Sequence, residues 1–378
     1  MEKKNYLRKG IFALLVAAAT LAGCSKDSDS NDTPTPPVVQ DPYKEWPIKP
    51  KIKEGETSYI SFYTPIGEDS SIDFNLKGNG WIDLNNNGVQ DPDEKTEVFD
   101  GSNKNYTLQS QVCTLYGIIT SFSISAGSDM TGLDVSHAPA LQELLVNEQE
   151  LTELNLKENK ALSRLVMHSN YIKKLDLREN KMLTVLDATS NKLEELDLTE
   201  NELLTELHLG NNQIKKLNLS KNKYLTELYA SGNLLSELDL KVNTKLTALF
   251  LSDNQITNLD LKGHKELHQL YVDGNQLTTL NLNSENKLNV VNLVSNKLSE
   301  EAMLKIAENL PQREEADKGI IFLQTFRILE GKQVVENNKL NKEILEKLDA
   351  KKWKTLFFNK EDSVRNYNGN PNTPHENP

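Results

Sequence analysis

The sequence lacks most of the features that mark an enzyme, a nucleic-acid-binding protein or a disulfide-stabilised fold. It has two cysteines in 378 residues, and its net charge of −12 argues against nucleic acid as a partner. It contains no HExxH, no GxSxG and no phosphate-binding loop ending in GKS or GKT. The six histidines are scattered, and His264 and His268, which share a turn, are interpreted as a chance surface pair, the alternative being a pair of metal ligands. These absences predict a protein that is not an enzyme.

What the sequence does contain is a 21-residue repeat that runs through residues 141–298 without insertion or deletion. Each unit is two half-units of 10 and 11 residues, both of the form LxxLxLxxN, in which the last two apolar residues alternate as in a β-strand. One half-unit cannot bury its leucines alone, but stacked coils with parallel strands can, so the pattern predicts a repeat solenoid of right-handed parallel-β coils. The anchors of the two half-units are Leu141, Leu162, Leu183, Leu204, Leu225, Leu246, Leu267 and Leu288, and Leu151, Ile172, Leu193, Ile214, Leu235, Ile256, Leu277 and Leu298.

An asparagine closes most half-units. Its amide offers donors and an acceptor, so we expect it to satisfy backbone groups left open where the chain turns. Other residues replace it at Ala138, Gln149, His264 and Glu285, where we expect weaker or terminal turns. The asparagines are Asn159, Asn170, Asn180, Asn191, Asn201, Asn212, Asn222, Asn233, Asn243, Asn254, Asn275 and Asn296.

The segment LTELYASGNLLSELDLKVNTK, residues 225–245, resembles the 21-residue leucine-rich repeats of bacterial surface proteins of the internalin-J kind. The resemblance extends over residues 119–298 and implies ligand binding on a concave sheet lined by the first half-units, without identifying the ligand. That family often has cysteine at the second core position of the first half-unit, and this chain has none there. The residues at those positions are Val146, Met167, Ala188, Leu209, Ala230, Leu251 and Val272.

Residues 1–24 have the pattern of an export signal, with a basic start and an apolar core over residues 11–21 that is too short to span a bilayer stably. Their end, LAGC, resembles the lipobox of bacterial lipoproteins, which implies cleavage before Cys24 and its acylation. An ordinary secretory signal is the alternative. Residues 25–42 form an acidic, proline-containing linker that resembles a surface-export signal of Bacteroidota-type lipoproteins, or is a mere spacer. We predict an outer-membrane lipoprotein exposed on the cell surface.

Two modules are predicted to cap the solenoid. Residues 43–118 contain four strand-like segments and form a β-rich N-terminal module, in which Cys113 is expected to be buried. Residues 299–361 form an α/β C-terminal cap, with a helix after Ser299, a strand over 319–323, a helix after Asn341 and a last strand from Trp353. Residues 362–378 are predicted to be disordered.

A loop in the N-terminal module fits the calcium pattern D-x-[DN]-x-[DN]-G-x5-E. Because its flanks look like strands rather than helices, we predict a stand-alone loop with a structural calcium ion, the alternative being an acidic turn without metal. The predicted ligands are Asp83, Asn85, Asn87, the carbonyl of Val89, Asp91 and Glu94.

The outward column of the first half-units varies from coil to coil, whereas that of the second is a monotonous series of Asp and Asn. Aromatic rings and His208 occupy this column on four successive coils, which predicts a binding stripe for a protein or a glycan. The alternative is cross-strand stacking that only stabilises the sheet. The predicted ligand-binding residues are Asp187, His208, Tyr229, Phe250, Tyr271 and Asn292, with a polar rim of Glu206, Glu227, Ser252, Gln269 and Asp273.

These features predict a lipid-anchored, monomeric surface protein that binds its ligand in adhesion or capture and touches the membrane only through its anchor. A structural spacer that organises the envelope without a dedicated ligand is the alternative.

Overall fold

The computed structural model describes residues 43–66, 69–329, 332–336 and 338–359. The predicted signal peptide, Cys24, the linker up to residue 42 and the tail from residue 362 lie outside the described residues. A search of the described part of the chain finds no helix with the length and apolar character needed to cross a membrane.

The first half-unit of each coil contributes one short strand to a continuous parallel sheet. Neighbouring strands pair at the repeat spacing, so that Leu228 lies opposite Leu207 on one side and Leu249 on the other. The chain is therefore a parallel-β, leucine-rich-repeat solenoid, as predicted. The strands are β6 Glu143–Leu145, β7 Arg164–Val166, β8 Val185–Asp187, β9 Glu206–His208, β10 Glu227–Tyr229, β11 Ala248–Phe250, β13 Gln269–Tyr271 and β15 Val290–Asn292.

The second half-units differ from the prediction of a strand in each. Among the described residues, only β12 (Asn258–Leu261) and β14 (Thr279–Leu282) form strands there, and they pair with each other. Elsewhere the alternation survives, with Leu177 buried and Asp176 exposed. Coils meet there through a backbone bond at the start of the half-unit, such as Lys192 N–H to the Ile172 carbonyl at 2.9 Å. Because the paired bonds of a ladder do not follow, these segments remain extended without forming a sheet.

The core is a stack of leucines. The central residue of each strand, from Leu144 to Val291, is 0% exposed. The positions that carry cysteine in the resembled family hold small and large apolar residues that are 0–1% exposed, so packing alone closes the coil there.

The asparagines form two ladders with different bonding. In the first half-unit ladder, Asn233 donates from Nδ2 to the Leu209 and Ala230 carbonyls at 2.9 and 3.2 Å, and its Oδ1 accepts from Ile214 N–H at 3.0 Å. In the second ladder, Asn222 donates to two carbonyls, but its Oδ1 makes no hydrogen bond. The predicted role is confirmed, and the first ladder is the more completely satisfied.

Two of the predicted weak points in the ladders have opposite outcomes. Gln149 accepts from Met130 N–H at 3.1 Å and donates to the Ser125 carbonyl at 3.0 Å, so its longer amide reproduces the asparagine bonds and the turn is intact. His264 was predicted to be a surface residue, but it is 2% exposed because it occupies a buried ladder position. Neither of its ring nitrogens makes a hydrogen bond, so this step of the ladder is indeed a weak one.

The N-terminal module contains the four predicted strands and joins the solenoid through one of them. β4 pairs with β2 and β1 antiparallel, and its residue Phe122 lies opposite Leu144 of β6 in parallel register. Cys113 of β4 is 0% exposed, and burial raises the pKa of its thiol. The sheet thus runs from the module into the first coils without a break. These four strands are β1 Tyr59–Tyr63, β2 Ser71–Asp83, β3 Glu97–Thr107 and β4 Val112–Ile124, and a fifth, β5 Gly132–Asp134, lies beyond the predicted module and pairs with β1.

The C-terminal cap extends the same sheet. β16 pairs with β15 in parallel, Val291 opposite Ile321. Asn338 continues the first ladder, because its Oδ1 accepts from Leu298 N–H and its Nδ2 donates to the Leu293 carbonyl. Both predicted helices are present, with Ser299 and Asn341 as their N-caps. The elements are α1 Glu300–Asn309, β16 Gly319–Leu329, β17 Lys332–Glu336, α2 Lys342–Ala350 and β18 Trp353–Asn359.

Candidate functional site

The side chains that point outward from the first half-unit strands form the sheet face. On it, His208, Tyr229, Phe250 and Tyr271 follow one another on β9, β10, β11 and β13, and we call them the aromatic column. Their ring centroids are 4.4, 4.4 and 4.6 Å apart. This spacing follows from the distance between neighbouring strands, which brings equivalent residues of adjacent coils into contact.

The rings of the aromatic column stack face to face. The planes of Tyr229 and Phe250 differ by 10°, and those of Phe250 and Tyr271 by 8°, whereas His208 is tilted by 59° to Tyr229. Both faces of Phe250 are therefore covered by neighbouring rings. All four side chains are partly exposed, so the column presents ring edges and tyrosine hydroxyl groups to solvent.

Carboxylates surround the column. His208 Nδ1 lies 3.9 Å from Asp187 Oδ2, and its Nε2 lies 4.0 Å from Glu227 Oε2. Burial raises the pKa of Tyr229, and the negative charge of Glu227 adds to the shift. Burial and the charge of Asp273 raise the pKa of Tyr271 in the same direction. The hydroxyls therefore stay protonated and available as donors at neutral pH.

Not every predicted site residue faces solvent. Asn292 is 5% exposed and its Oδ1 accepts from Val294 N–H at 3.2 Å, so it ends the column instead of extending its exposed surface. Ser252, predicted for the rim, is 3% exposed and donates to Asp273 Oδ1 at 2.5 Å. Asp187, Glu206, Glu227 and Asp273 are partly exposed, and Gln269 is exposed.

A second row of apolar side chains, which the sequence analysis did not single out, lies on the turn before each first half-unit. We call this turn the turn edge. Met182, Leu203 and Tyr224 occupy the same position on successive coils and are 53, 39 and 37% exposed. Lys223 and Lys245 place their Nζ atoms 5.1 and 4.7 Å from the Tyr224 ring centroid. The 21-residue spacing of these three residues could have revealed this row from the sequence.

The predicted calcium loop closes on itself through its own side chains. Asp83, which is 0% exposed, accepts from Gly88 N–H at 2.9 Å. Glu94 accepts from the N–H groups of Leu84 and Asp91 at 3.1 and 3.0 Å. Gly88 has φ = +75°, and a Cβ there would lie 2.7 Å from the Lys51 carbonyl, so the turn requires glycine.

The charged groups of the loop lie close enough to influence one another. Burial raises the pKa of Glu94, and the charges of Asp83 and Asp91 contribute, although the backbone N–H groups oppose the shift. The amides of Asn85 and Asn87 donate to Asp91 Oδ2 at 2.7 and 2.8 Å. No group of three or more His, Cys, Asp or Glu with metal-binding geometry occurs in the described residues. The three carboxylates of the predicted ligand set, Asp83, Asp91 and Glu94, are therefore not gathered into such a group.

Comparison with known proteins gives structural likenesses only. No protein-family model and no curated protein matches the chain. The functional domain of InlJ from Listeria monocytogenes, which includes a cysteine ladder, is 30% identical over 52% of this chain and 48% of its own, with a TM-score of 0.41. A leucine-rich-repeat protein of Leptospira interrogans is 28% identical over 47% of this chain and 48% of its own, with a TM-score of 0.43.

An internalin, inlF, of Listeria monocytogenes is 20% identical over 59% of this chain and 69% of its own, with a TM-score of 0.46. The chain spans about half the length of the first two of these structures. The leucine-rich-repeat assignment itself rests on the repeat and on the strand register of this chain.

Proposed function

We propose that the protein binds a protein ligand on its sheet face, with the aromatic column as the centre of the contact. The observation that carries the proposal is a row of partly exposed rings on four successive strands. Exposed aromatic rows are uncommon on surfaces without a partner, and tyrosine is enriched among the residues that dominate binding energy.

The stacking of the rings favours a protein over a glycan. A sugar packs its apolar face against the open face of a ring, and both faces of Phe250 are already covered by Tyr229 and Tyr271. Ring edges, tyrosine hydroxyls and nearby carboxylates remain, and these match the mixed polar and apolar groups of a polypeptide.

The stacking also supports the second candidate, in which the column only stabilises the sheet. Aromatic pairs in this geometry contribute about 0.5–1.5 kcal/mol each beyond their buried area. Both roles are compatible with the same rings, so the two candidates separate on binding and not on stability.

The test uses the chain with Tyr229, Phe250 and Tyr271 changed to Ala, and a matched control with Tyr224→Ala and Leu203→Ala on the turn edge. Both proteins and the unchanged chain are panned against a random peptide library displayed on phage. We expect peptides that bind the unchanged chain and the control but not the column variant, whose folding is checked by circular dichroism. If every recovered peptide binds all three proteins equally, the column is structural.

We propose further that the loop over residues 83–94 holds a structural calcium ion. Its support is the oxygen set of the motif on a turn that Gly88 permits. Weak extracellular sites have dissociation constants of about 10⁻⁴–10⁻³ M, so about 10 mM calcium should raise Tm by about 5 °C. Glu94→Gln should abolish the rise, and Glu97→Gln, an exposed residue paired with Lys104, should leave it unchanged. No calcium effect on the unchanged chain would contradict the site.

The cellular setting is proposed from the sequence alone. We propose that Cys24 is acylated and anchors the protein in the outer membrane, with the solenoid on the cell surface, for adhesion or ligand capture. Cells producing the Cys24→Ser chain should release it from the membrane fraction, and protease added to intact cells should cleave the unchanged protein. Equal membrane association of both chains would contradict the anchor.

A further inference from the structure

The sheet face around the aromatic column carries negative charge without the basic residues that neutralise it elsewhere. From β8 to β13, each first half-unit strand has three outward positions, namely the column residue and the residues two positions before and after it in the sequence. These positions include four carboxylates and no lysine or arginine; they are Val185, Asp187, Thr189, Glu206, His208, Gly210, Glu227, Tyr229, Ser231, Ala248, Phe250, Ser252, Gln269, Tyr271 and Asp273.

The turn edge shows the opposite arrangement. There Lys181 Nζ lies 2.7 Å from Glu200 Oε2 on the next coil, and Lys287 Nζ lies 2.5 Å from Glu266 Oε2. Within the described residues, the ion pairs of Glu206 and Glu227 include no lysine or arginine; Glu227 lies 4.0 Å from His208 and interacts with the Tyr229 hydroxyl. Lysine and glutamate of neighbouring coils thus form ion pairs on the turn edge, and such pairs with lysine do not form at Glu206 and Glu227 beside the column.

We infer that the ligand segment that lies on the aromatic column is basic, a stretch of protein that presents lysine or arginine to Glu206, Glu227 and Asp187. This inference rests on the proposed function. A guanidinium or ammonium group beside the column meets carboxylates on its flank and at its β8 end, while its aliphatic stem packs along the ring edges. Because these carboxylates are partly buried beside rings, their field is screened less than that of the exposed edge pairs.

The peptide library of the preceding section tests the inference. Among peptides that lose binding to the Tyr229→Ala, Phe250→Ala, Tyr271→Ala chain, we expect lysine and arginine to be enriched over the input library. Column-dependent peptides without this enrichment would overturn the inference and leave the proposed function standing. Recovery of no column-dependent peptide would overturn both.

A second measurement separates local recognition from the general attraction of an acidic protein for basic peptides. The variant Glu206→Gln with Glu227→Gln and the control Glu179→Gln with Glu200→Gln change the net charge equally, and the control glutamates lie on the turn edge paired with Lys160 and Lys181. For column-dependent basic peptides, we expect the first pair to weaken binding about tenfold and to reduce its salt dependence, and the control to change it less than about twofold. Equal weakening by both pairs would show that only overall charge matters and would overturn the inference.

Discussion

The two halves of each coil are built from the same LxxLxLxxN pattern, yet the structure uses them differently. The first half-units form a continuous sheet with a varied outward column, whereas most described second half-units form no strand and repeat Asp or Asn outward. In the first ladder, both the Nδ2 and the Oδ1 atoms of the asparagines form hydrogen bonds, whereas in the second ladder only Nδ2 does. The half with the more completely bonded ladder is therefore also the one whose outward column carries the residues that we propose to bind the ligand.

The largest expected effect is the loss of stability when an asparagine is removed from one of the two ladders. Asn233→Ala would remove three donated bonds and the acceptor of Ile214 N–H, leaving buried backbone groups unpaired. Asn222→Ala removes two donated bonds but also an oxygen that has no partner. We expect losses in the free energy of unfolding of about 3 and about 2 kcal/mol, respectively, measured by urea denaturation.

Both asparagines are buried and lie on adjacent half-units, so each serves as the control for the other. A larger loss for Asn222→Ala than for Asn233→Ala would show that the second ladder carries the greater share of the stability, contrary to the bonding seen here.

The next effect is the difference in stability lost when a ring is removed from the sheet face and from the turn edge. Phe250→Ala removes a ring stacked on two neighbours and should lower the free energy of unfolding by about 2 kcal/mol. Tyr224→Ala removes a ring that is 37% exposed and contacts two lysines, and should cost less than about 1 kcal/mol. Thermal unfolding of the two variants side by side decides the order, and equal losses would mean that the stack adds nothing to the sheet.

The smallest effect concerns the one histidine in the second ladder. Burial lowers the pKa of His264 from its ordinary value of 6.5, and the nearby carbonyls of Leu261 and Leu240 oppose this only in part. The unfolded chain therefore binds a proton near pH 6.5 that the folded chain resists, so this contribution to stability is present above that pH and is lost as the pH falls. His264→Asn should restore the ladder and gain about 1 kcal/mol at neutral pH.

The same substitution should also flatten the decrease of Tm between pH 7.5 and pH 5. His268→Asn, on the same turn but partly exposed, is the control and should leave the pH dependence unchanged. An unaltered slope in the His264→Asn chain would assign the acid sensitivity to other groups.

Much of the fold could be predicted because burial at a fixed spacing leaves few arrangements. The leucines, the strand of the first half-unit and the column of rings follow from periodicity, and the N-caps of α1 and α2 follow from the side-chain oxygens of Ser299 and Asn341. The absence of strands in most second half-units does not, because LxxLxL is the same in both halves and the difference lies in how neighbouring coils meet. The positions of His264 in the ladder and Asn292 in the column were predicted, but their burial was not, because histidine and asparagine are polar residues that are seldom fully buried.

The sequence analysis also missed a left-handed residue one position before each first-ladder asparagine. Ser190, Asn211 and Asp253 have φ of +53 to +55°, and two further coils hold glycine at the same position, Gly232 with φ = +67° and Gly274 with φ = +65°. A Cβ at Gly232 would lie 2.5 Å from Asn211 Oδ1. The signal was present as glycine, asparagine and aspartate sharing a column, which are the residues that tolerate this conformation. The sequence could indicate the aromatic and acidic groups that the sheet face presents, but it could not identify the ligand, since a repeat specifies a surface and not a partner.

The covering of the last coil by β16 has a consequence for how molecules meet one another. A parallel solenoid ends in a bare row of peptide groups that is complementary to the start of the next molecule, which favours head-to-tail growth into fibres. Here β16 takes up that row, β18 lies beyond it, and β4 occupies the opposite end within the N-terminal module. We expect a chain shortened before residue 299 to present the edge of β15 and to polymerise, whereas β16 covers that edge in the intact chain.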